Sequence, residues 1–296
     1  MDVISDVNHT LATQIQKNKK DIDNASIKPF SDEYPFSTNG IYLFCGKMGS
    51  GKTYTILKHL LIMDQLYGEP YYDQIIFSST SGTLDKTVEA VKDQVQTPIE
   101  YIKDFELMDY LNRRIRQKMK FYGIVKFIET GGERKTDEMN DIIEKHHLVK
   151  WEKGQWVVDM RKVAMYLIDK LDKWGFKRYP VYDCIVLDDF AGHPLLKRPD
   201  SELNKMLTKT RHYHITAILG IQTWRFVHLN FKRLCTDILI WKGFSMEDFE
   251  AMIKQTPNQS NWKDLWAQYS AFQDPHDYIA LHITAGKVEF HTEGEQ

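Results

Sequence analysis

A glycine-rich octapeptide between an apolar run and a helical pattern constrains the fold of this chain more than any other feature. It consists of Gly46, Lys47, Met48, Gly49, Ser50, Gly51, Lys52 and Thr53. It fits the phosphate-binding loop pattern G-x-x-x-x-G-K-[ST] and directly follows the strand-like run Ile41 to Cys45. The residues after it place apolar side chains at helical spacing. Strand, glycine loop and helix in this order predict a nucleoside triphosphate site, whereas an ordinary glycine turn with an incidental lysine is the alternative.

Each position in this loop has an expected physical role. We expect Gly46, Gly49 and Gly51 to adopt positive φ, so that backbone amides surround the β-phosphate at the helix N-terminus. Lys52 is expected to reach the β- and γ-phosphate oxygens, and the Thr53 hydroxyl to bind Mg²⁺. The predicted nucleotide-binding segment runs from Gly46 to Tyr54, with ATP and Mg²⁺ as its ligands.

A second apolar run ends in two carboxylates. Cys184 to Leu187 precede Asp188 and Asp189, which is the Walker B pattern of four apolar residues and an acid. Many core strands end in Asp, so the pattern gains its meaning from the phosphate loop in the same chain. Asp188 is expected to hold the Mg²⁺ shell and Asp189 to orient or deprotonate the attacking water, which indicates hydrolysis.

Further apolar runs define the fold class. Strands are predicted at Gln74 to Ser78, at Ile215 to Thr223 and at Ile238 to Trp241, and a C-terminal hairpin at residues 277–291. Gln222, near the end of the second of these, lies where a γ-phosphate sensor is expected. The predicted fold is therefore α/β, a P-loop NTPase with a mainly parallel central sheet flanked by helices.

The rest of the chain divides into an arm and an insertion. Residues 1–39 are mostly polar and are predicted to form an N-terminal arm, and residues 40–296 the ATPase domain. Within that domain, residues 85–180 are predicted to form a largely helical, highly charged insertion. Its only strand-like runs are Ile124 to Ile128 and Trp156 to Val158.

Composition excludes several classes of protein. The chain has 296 residues, of which 42% are hydrophobic, so it is not disordered by composition. No apolar run approaches the ~18 residues that cross a bilayer, and the N-terminus does not resemble a secretory leader. Three widely spaced cysteines in apolar runs suit reduced thiols in a cytosolic protein. The net charge is −2, so any nucleic-acid surface must arise from local clustering or from oligomerisation.

The ordered motifs resemble those of viral genome-packaging ATPases from poxviruses, giant viruses and virophages, a branch of the FtsK/HerA superfamily of DNA translocases. They are GKMGSGKT, IIFSST, CIVLDDF and the sequence TRH, whose His212 precedes Gln222 by ten residues. The similarity covers about residues 40–82 and 182–252, and the segment joining TRH to Gln222 is its most specific part.

This resemblance implies a RecA-like sheet with the sensor strand between the Walker A and Walker B strands. It also implies a ring homo-oligomer of hexameric type that moves double-stranded DNA into a preformed capsid. Capsid vertex proteins are the implied partners, and the host cytoplasm or the virion is the implied location.

The resemblance also assigns residues. Lys52 and Thr53 contact phosphate and metal, Asp188 and Asp189 form the acidic pair, and Gln222 is the polar sensor. Arg211 is the implied arginine finger on a neighbouring subunit's nucleotide, with a surface arginine that pairs locally as the alternative. Cellular members of the superfamily usually end Walker B in Asp-Glu rather than Asp-Asp. Of the downstream basic residues, Lys232 and Arg233 rank below Arg211.

Two basic segments are candidates for contact with DNA. One basic run, with no acid between 113 and 126, consists of Arg113, Arg114, Arg116, Lys118, Lys120 and Lys126. It suits a pore that contacts phosphates, but acids on both sides make a solvated helical face equally compatible. Lys197 and Arg198 offer another lining.

Two other functions remain open at this point. A small-molecule or nucleoside kinase also uses a phosphate loop and would need an arginine-rich lid, for which residues 113–126 are a candidate. A nucleotide-gated assembly protein would bind ATP and scarcely hydrolyse it.

Overall fold

The computed structural model describes residues 29–80, 88, 89, 92, 94–133, 136–190, 192–257 and 261–292. These residues form two compact units. One, here called the helical unit, contains the described residues within Asp109–Val181, and the other, the sheet unit, contains the described residues within Ser26–Met108 and Tyr182–Gln296. Residues 1–28 of the predicted arm lie outside the described residues, and the boundaries of arm and insertion stay a prediction.

The strands in chain order are β1 (Ile41–Cys45), β2 (Gln74–Ser79), β3 (Ile99–Tyr101), β4 (Val149–Glu152), β5 (Gln155–Val158), β6 (Asp183–Asp188), β7 (Ile215–Ile221), β8 (Asp237–Trp241), β9 (Tyr278–His282) and β10 (Lys287–His291). The helices are α1 (Lys52–Tyr67), α2 (Leu107–Glu129), α3 (Asp137–Lys145), α4 (Met160–Trp174), α5 (Pro194–Lys197), α6 (Glu202–Leu207), α7 (Thr210–Tyr213), α8 (Leu229–Leu234), α9 (Met246–Gln255) and α10 (Trp262–Tyr269). A 3-10 turn covers Trp224–Phe226.

Among the described residues, eight strands form one sheet in the order β10, β9, β8, β1, β7, β6, β2, β3. The run from β8 to β3 is parallel, and β9 and β10 form the predicted antiparallel C-terminal hairpin. Strand β7 lies between β1 and β6, as the resemblance implied. The α/β fold with a mainly parallel sheet is thus confirmed. The parallel strands all end at one edge of the sheet, here called the carboxyl edge, and begin at the opposite amino edge.

Burial explains why the sequence contains continuous apolar runs. Every residue of β1, β6, β7 and β8 is buried, which is the pattern of parallel strands covered on both faces. Helix α1 covers one face of the sheet. Its buried side chains share a core with strand residues that point to this face, such as Phe44 and Val186. The helix contributes Ile56, Leu57, Leu60 and Met63 to this core. Each such side chain contributes about 1.5–3 kcal/mol when fully buried.

The helical unit has its own core, and here one prediction was wrong. Ile124 to Ile128 is part of helix α2 rather than a strand. The apolar side chains Phe121, Ile124, Val125 and Ile128 follow the helical spacing i, i+3, i+4, i+7 and pack in the core of this unit. A five-residue window cannot distinguish that pattern from a buried strand. The other run, Trp156 to Val158, does lie in a strand, β5, which pairs with β4.

Strand β3 was not predicted. It extends the main sheet beside β2 within the segment assigned to the insertion. It has only three residues, with an exposed glutamate at its centre, so no periodicity marks it.

Cys45, Cys184 and Cys235 are free and buried, as predicted. In the part of the chain that the structure describes, no helix has the length and apolar character needed to cross a membrane.

Candidate nucleotide site

The phosphate-binding loop joins the carboxyl end of β1 to the first residue of α1. Gly49 and Gly51 adopt φ of 77° and 89°, a region that favours glycine. Gly51 is the N-cap of α1, where no described side chain accepts a capping hydrogen bond, and the first turn carries no acid. The free first-turn amides and the positive end of the helix dipole therefore point to an anion.

Gly46 is required for a different reason than predicted. It is absent from the described residues with positive φ, which corrects the expectation for this position. A Cβ here would lie 2.4 Å from Ser50 Oγ and 2.9 Å from Trp241 Cβ. Gly46 therefore allows the loop to fold back on itself and to pack closely on the end of β8.

Lys52 lies with its ammonium inside the loop. Its Nζ donates hydrogen bonds to the carbonyl oxygens of Gly46 (2.9 Å) and Lys47 (3.0 Å). Burial lowers the pKa of Lys52, and the carboxylates of Asp189 and Asp188 oppose that shift. Phosphate oxygens would supply additional negative charge at the place where Nζ is already held.

Thr53 and Asp188 connect the loop to the Walker B strand. Thr53 Oγ1 donates a hydrogen bond of 2.9 Å to Asp188 Oδ2. A hydroxyl and a carboxylate are hard oxygen ligands of the kind that Mg²⁺ prefers, together with phosphate and water. The two predicted metal-binding residues thus fit this ion.

Gly220, which sequence reasoning missed, makes room for Asp188. A Cβ at Gly220 would lie 2.4 Å from Asp188 Oδ1. The register pairs Leu187 with Leu219, so Gly220 of β7 stands beside Asp188 of β6. A glycine inside a buried strand was the available signal, because such a glycine often marks a close approach of another group.

Asp189 and Gln222 meet just beyond the ends of β6 and β7. Gln222 Nε2 donates to Asp189 Oδ1 at 2.8 Å, and Thr80 Oγ1 donates to the Asp189 carbonyl oxygen at 2.9 Å. Asp189 has φ of 55°, a conformation that is uncommon outside glycine. These two hydrogen bonds hold the unusual backbone and connect the second carboxylate to the predicted sensor. Thr80 was not predicted, because only the loop after β2 brings it here.

Of the remaining members of the predicted segment, Ser50 is buried, whereas Lys47, Met48 and Tyr54 are exposed. Met48 is 84% exposed and Tyr54 57% exposed. Two C-terminal loops, also missed from sequence, border the same segment. His276 Nδ1 would lie 3.3 Å from a Cβ at Gly51, and the Lys47 side chain 3.4 Å from a Cβ at Gly243.

Arg211 lies far from this site in its own chain. It belongs to α7, which immediately precedes β7 at the amino edge, whereas Gln222 follows the other end of the same strand. A seven-residue strand spans about 23 Å. Arg211 is exposed, with its Nε 3.4 Å from His212 Nε2. Its role as a finger stays a prediction and requires a second subunit.

Lys232 is unsuited to the finger role for which it was a lower-ranked candidate. Its Nζ donates to Gln255 Oε1 at 2.9 Å and lies 4.9 Å from the ring centroid of Trp224. Burial lowers its pKa. Lys232 is thus a core residue, whereas Arg233 is exposed.

The basic run of α2 is not one surface. Arg114 and Lys118 are buried. Arg114 Nη1 donates to the Trp174 carbonyl oxygen at 2.9 Å, and its guanidinium lies 4.5 Å from the ring centroid of Phe176. The six-cation lining was therefore wrong for two members, because one face of a long helix packs into the core. Exposed cations of the run are Arg113, Arg116 and Lys126.

No protein-family model and no curated protein matches the chain. Several solved structures, in contrast, are similar to it. B204, the DNA-packaging ATPase from Sulfolobus turreted icosahedral virus, is 12% identical over 86% of this chain and 98% of its own, with a TM-score of 0.47. The genome packaging NTPase B204 from Sulfolobus turreted icosahedral virus 2, in complex with sulfate, is 12% identical over 86% and 96%, with a TM-score of 0.46.

A third similar structure is EssC (ATPases 2 and 3) from Geobacillus thermodenitrificans, 11% identical over 84% of this chain and 39% of its own, with a TM-score of 0.46. The two B204 structures are of genome- or DNA-packaging proteins, and EssC is described by its ATPase domains. Likeness at this level assigns no activity to the chain.

Proposed function

We propose that the chain is an ATP-driven translocase of double-stranded DNA that packages viral DNA into a preformed capsid. The structural observation that carries the ATPase part of this proposal is the pair of hydrogen bonds at the carboxyl edge. One joins Thr53 to Asp188 and the other joins Gln222 to Asp189. Lys52, Thr53, Asp188, Asp189 and Gln222 lie at or just beyond the carboxyl ends of three neighbouring strands, β1, β6 and β7, which supports one shared site.

The chemistry proposed for this site is ATP hydrolysis. The loop amides and Lys52 bind the phosphates, and Thr53 and Asp188 hold Mg²⁺, which neutralises charge on the β- and γ-phosphates when bound. Asp189 accepts a hydrogen bond from Gln222, so one carboxylate oxygen has a fixed direction while the other remains able to orient a water molecule.

The proposed assembly is a ring, of hexameric type, in which Arg211 of one subunit completes the site of the next. An interface of this kind is heterologous, because two different edges of the same protein meet and the rotation closes. The position of Arg211 favours this arrangement. It is exposed at the amino edge, and the length of strand β7 separates it from the nucleotide site of its own chain. An arginine supplied in trans contributes about 10³ to 10⁵ in rate in related chemistry.

Duplex DNA as substrate, capsid vertex proteins as partners and the host cytoplasm as location rest on the sequence motifs. The kinase alternative required an arginine-rich lid at residues 113–126. In the described structure that segment is part of helix α2 and Arg114 is packed against Phe176, so only Arg113 and Arg116 of its three arginines are exposed, which disfavours such a lid. A nucleotide-gated assembly protein would bind ATP with scarcely any hydrolysis, so the rate of ATP hydrolysis distinguishes it from a translocase.

The first experiment measures ATP hydrolysis with and without duplex DNA. Lys52→Ala should abolish both rates, because it removes the phosphate-contacting ammonium. Arg161→Ala, which changes an exposed arginine of α4, is the matched control and should hydrolyse at the wild-type rate. DNA-independent phosphorylation of an added acceptor would instead establish a kinase, and tight ATP binding without turnover an assembly protein.

Mixing inactive variants tests the shared site. In an equal mixture of Lys52→Ala and Arg211→Ala subunits, about one quarter of the heterologous interfaces join an intact loop to an intact arginine. Hydrolysis should recover to about that fraction of the wild-type rate per subunit. No recovery, with ring assembly verified by light scattering, would refute Arg211 as a finger in trans.

A further inference from the structure

A cavity lined by several basic side chains lies in the sheet unit, away from the residues of the nucleotide site. It has a volume of about 500 Å³ and opens between α6 and α8, the helices that lead from the carboxyl edge back toward β7 and β8. We call it the basic groove. The described side chains that give it its chemistry are Asn204, Lys205, Lys209, Asn230 and Arg233.

Charge is the first property that distinguishes this groove. Lys205, Lys209 and Arg233 line it, and the described lining includes no carboxylate. All three side chains are exposed. Within the part of the chain that the structure describes, none of the three forms an ion pair, whereas other surface lysines do, for example Lys254 with Glu250 at 2.6 Å. Three unpaired cations around one cavity, in a chain of net charge −2, form a local site for anions.

A buried amide lies in the wall of the groove beside these cations. Asn204 is 4% exposed, and its Nδ2 donates to the Pro199 carbonyl oxygen. Its Oδ1 has no hydrogen-bond partner among the described residues. Because Oδ1 is buried and can only accept hydrogen bonds, this amide forms part of the groove wall and does not itself contact an anion.

We propose that the basic groove contacts the phosphate backbone of double-stranded DNA, which rests on the proposed translocase function. Lysine and arginine side chains contact phosphates without reading base sequence, as a motor that moves any sequence requires. The groove also keeps its cations in solvent, unlike the basic run of α2, where Arg114 and Lys118 are buried.

The salt dependence of DNA binding tests this proposal. The double variant Lys205→Ala/Lys209→Ala should bind a 30-base-pair duplex with a log–log salt slope smaller by about 1.8, at about 0.9 per lost phosphate contact. Between 50 and 200 mM salt the wild type should therefore lose about tenfold more affinity than the variant. Fluorescence anisotropy without nucleotide measures both. The matched control is Arg116→Ala/Lys126→Ala, which removes two exposed cations of α2 and should leave the slope unchanged.

The outcomes separate this proposal from the function on which it rests. If the wild type hydrolyses ATP through Lys52 but binds no duplex, the translocase function fails. If the wild type binds duplex and the groove variant keeps the full slope, or if the α2 control loses more of it, the groove proposal fails alone. Loss of DNA-independent hydrolysis with an unchanged slope would assign the groove to a neighbouring subunit's nucleotide and would also overturn the proposal.

Discussion

Gly220→Ala is the sharpest test of the site, because it adds one methyl group at a place where the structure leaves no room. The new Cβ would lie 2.4 Å from Asp188 Oδ1, whereas ordinary contact begins at 3.4 Å. The carboxylate must therefore move by about 1 Å, since the other close atoms, Asp188 Cγ and Cα, already lie at 3.5 and 3.6 Å. The substitution changes neither a charge nor a hydrogen-bonding group.

The expected loss is mainly catalytic. A displacement of about 1 Å at a catalytic group costs about 100-fold in rate, and moving Asp188 breaks its 2.9 Å hydrogen bond with Thr53. The cost in stability is smaller. The rotated carboxylate adopts a strained rotamer at about 0.5–1.5 kcal/mol, and the backbone of Gly220 needs no positive φ.

Two measurements check this prediction. ATP hydrolysis under saturating Mg²⁺ and ATP gives the rate, and urea unfolding gives the free energy of unfolding. Gly123→Ala is the control, because a Cβ at Gly123 has no atom within 4 Å and the substitution should stabilise the helix by about 0.5–1 kcal/mol. A Gly220→Ala protein that hydrolyses ATP at the wild-type rate would refute the placement of Asp188. A loss of stability well above 3 kcal/mol would show that the glycine serves the core instead.

Three further predictions concern other parts of the sheet unit. Gln222→Leu removes the donor to Asp189 Oδ1 and should slow hydrolysis at least tenfold, about 1.4 kcal/mol in activation free energy, with the Kd of a non-hydrolysable ATP analogue little changed; equal loss of binding would assign Gln222 to ground-state contacts. Lys232→Met should change the free energy of unfolding by less than about 1 kcal/mol, because the buried ammonium is replaced by an apolar chain of similar length, and should leave hydrolysis intact; a thousandfold loss would restore Lys232 as a finger. Burial lowers the pKa of His59 to about 3, so below pH ~6.5 the unfolded chain binds a proton that the folded chain does not, and stability present above that pH is lost on acidification. Urea titrations at pH 7.5 and 5.0 give the free energy of unfolding at each pH. Between these pH values it should fall by about 2 kcal/mol more for the wild type than for His59→Phe. Equal losses would contradict the neutral, buried state of His59.

Sequence was sufficient wherever function depends on neighbours along the chain. The phosphate loop could be predicted because Gly51, Lys52 and Thr53 act through consecutive backbone and side-chain positions. The parallel strands could be predicted because burial on both faces leaves only apolar residues in them. Both signals are local, and the structure reproduces them.

What sequence missed depends on strand register and on loops distant in the chain. Gly220 meets Asp188 only because β7 pairs with β6 in one register, and Thr80 meets Asp189 only across the sheet. His276 lies beside Gly51 although more than two hundred residues separate them. The basic run of α2 was wrongly predicted as one surface for a similar reason. Charge counted along the sequence does not show which face of a helix packs into a core.

The short segment before β7 connects the two proposals. Lys209, in the basic groove, is the N-cap of α7, and Arg211 lies within that helix. A four-residue helix is too short to be stable by itself, so its position depends on what its ends contact. A DNA phosphate on Lys209 would therefore act on the same backbone that presents Arg211 to the next subunit. DNA stimulation of hydrolysis should then disappear in Lys205→Ala/Lys209→Ala while the DNA-independent rate remains, and stimulation that persists in this variant would show that the groove and the finger are not coupled.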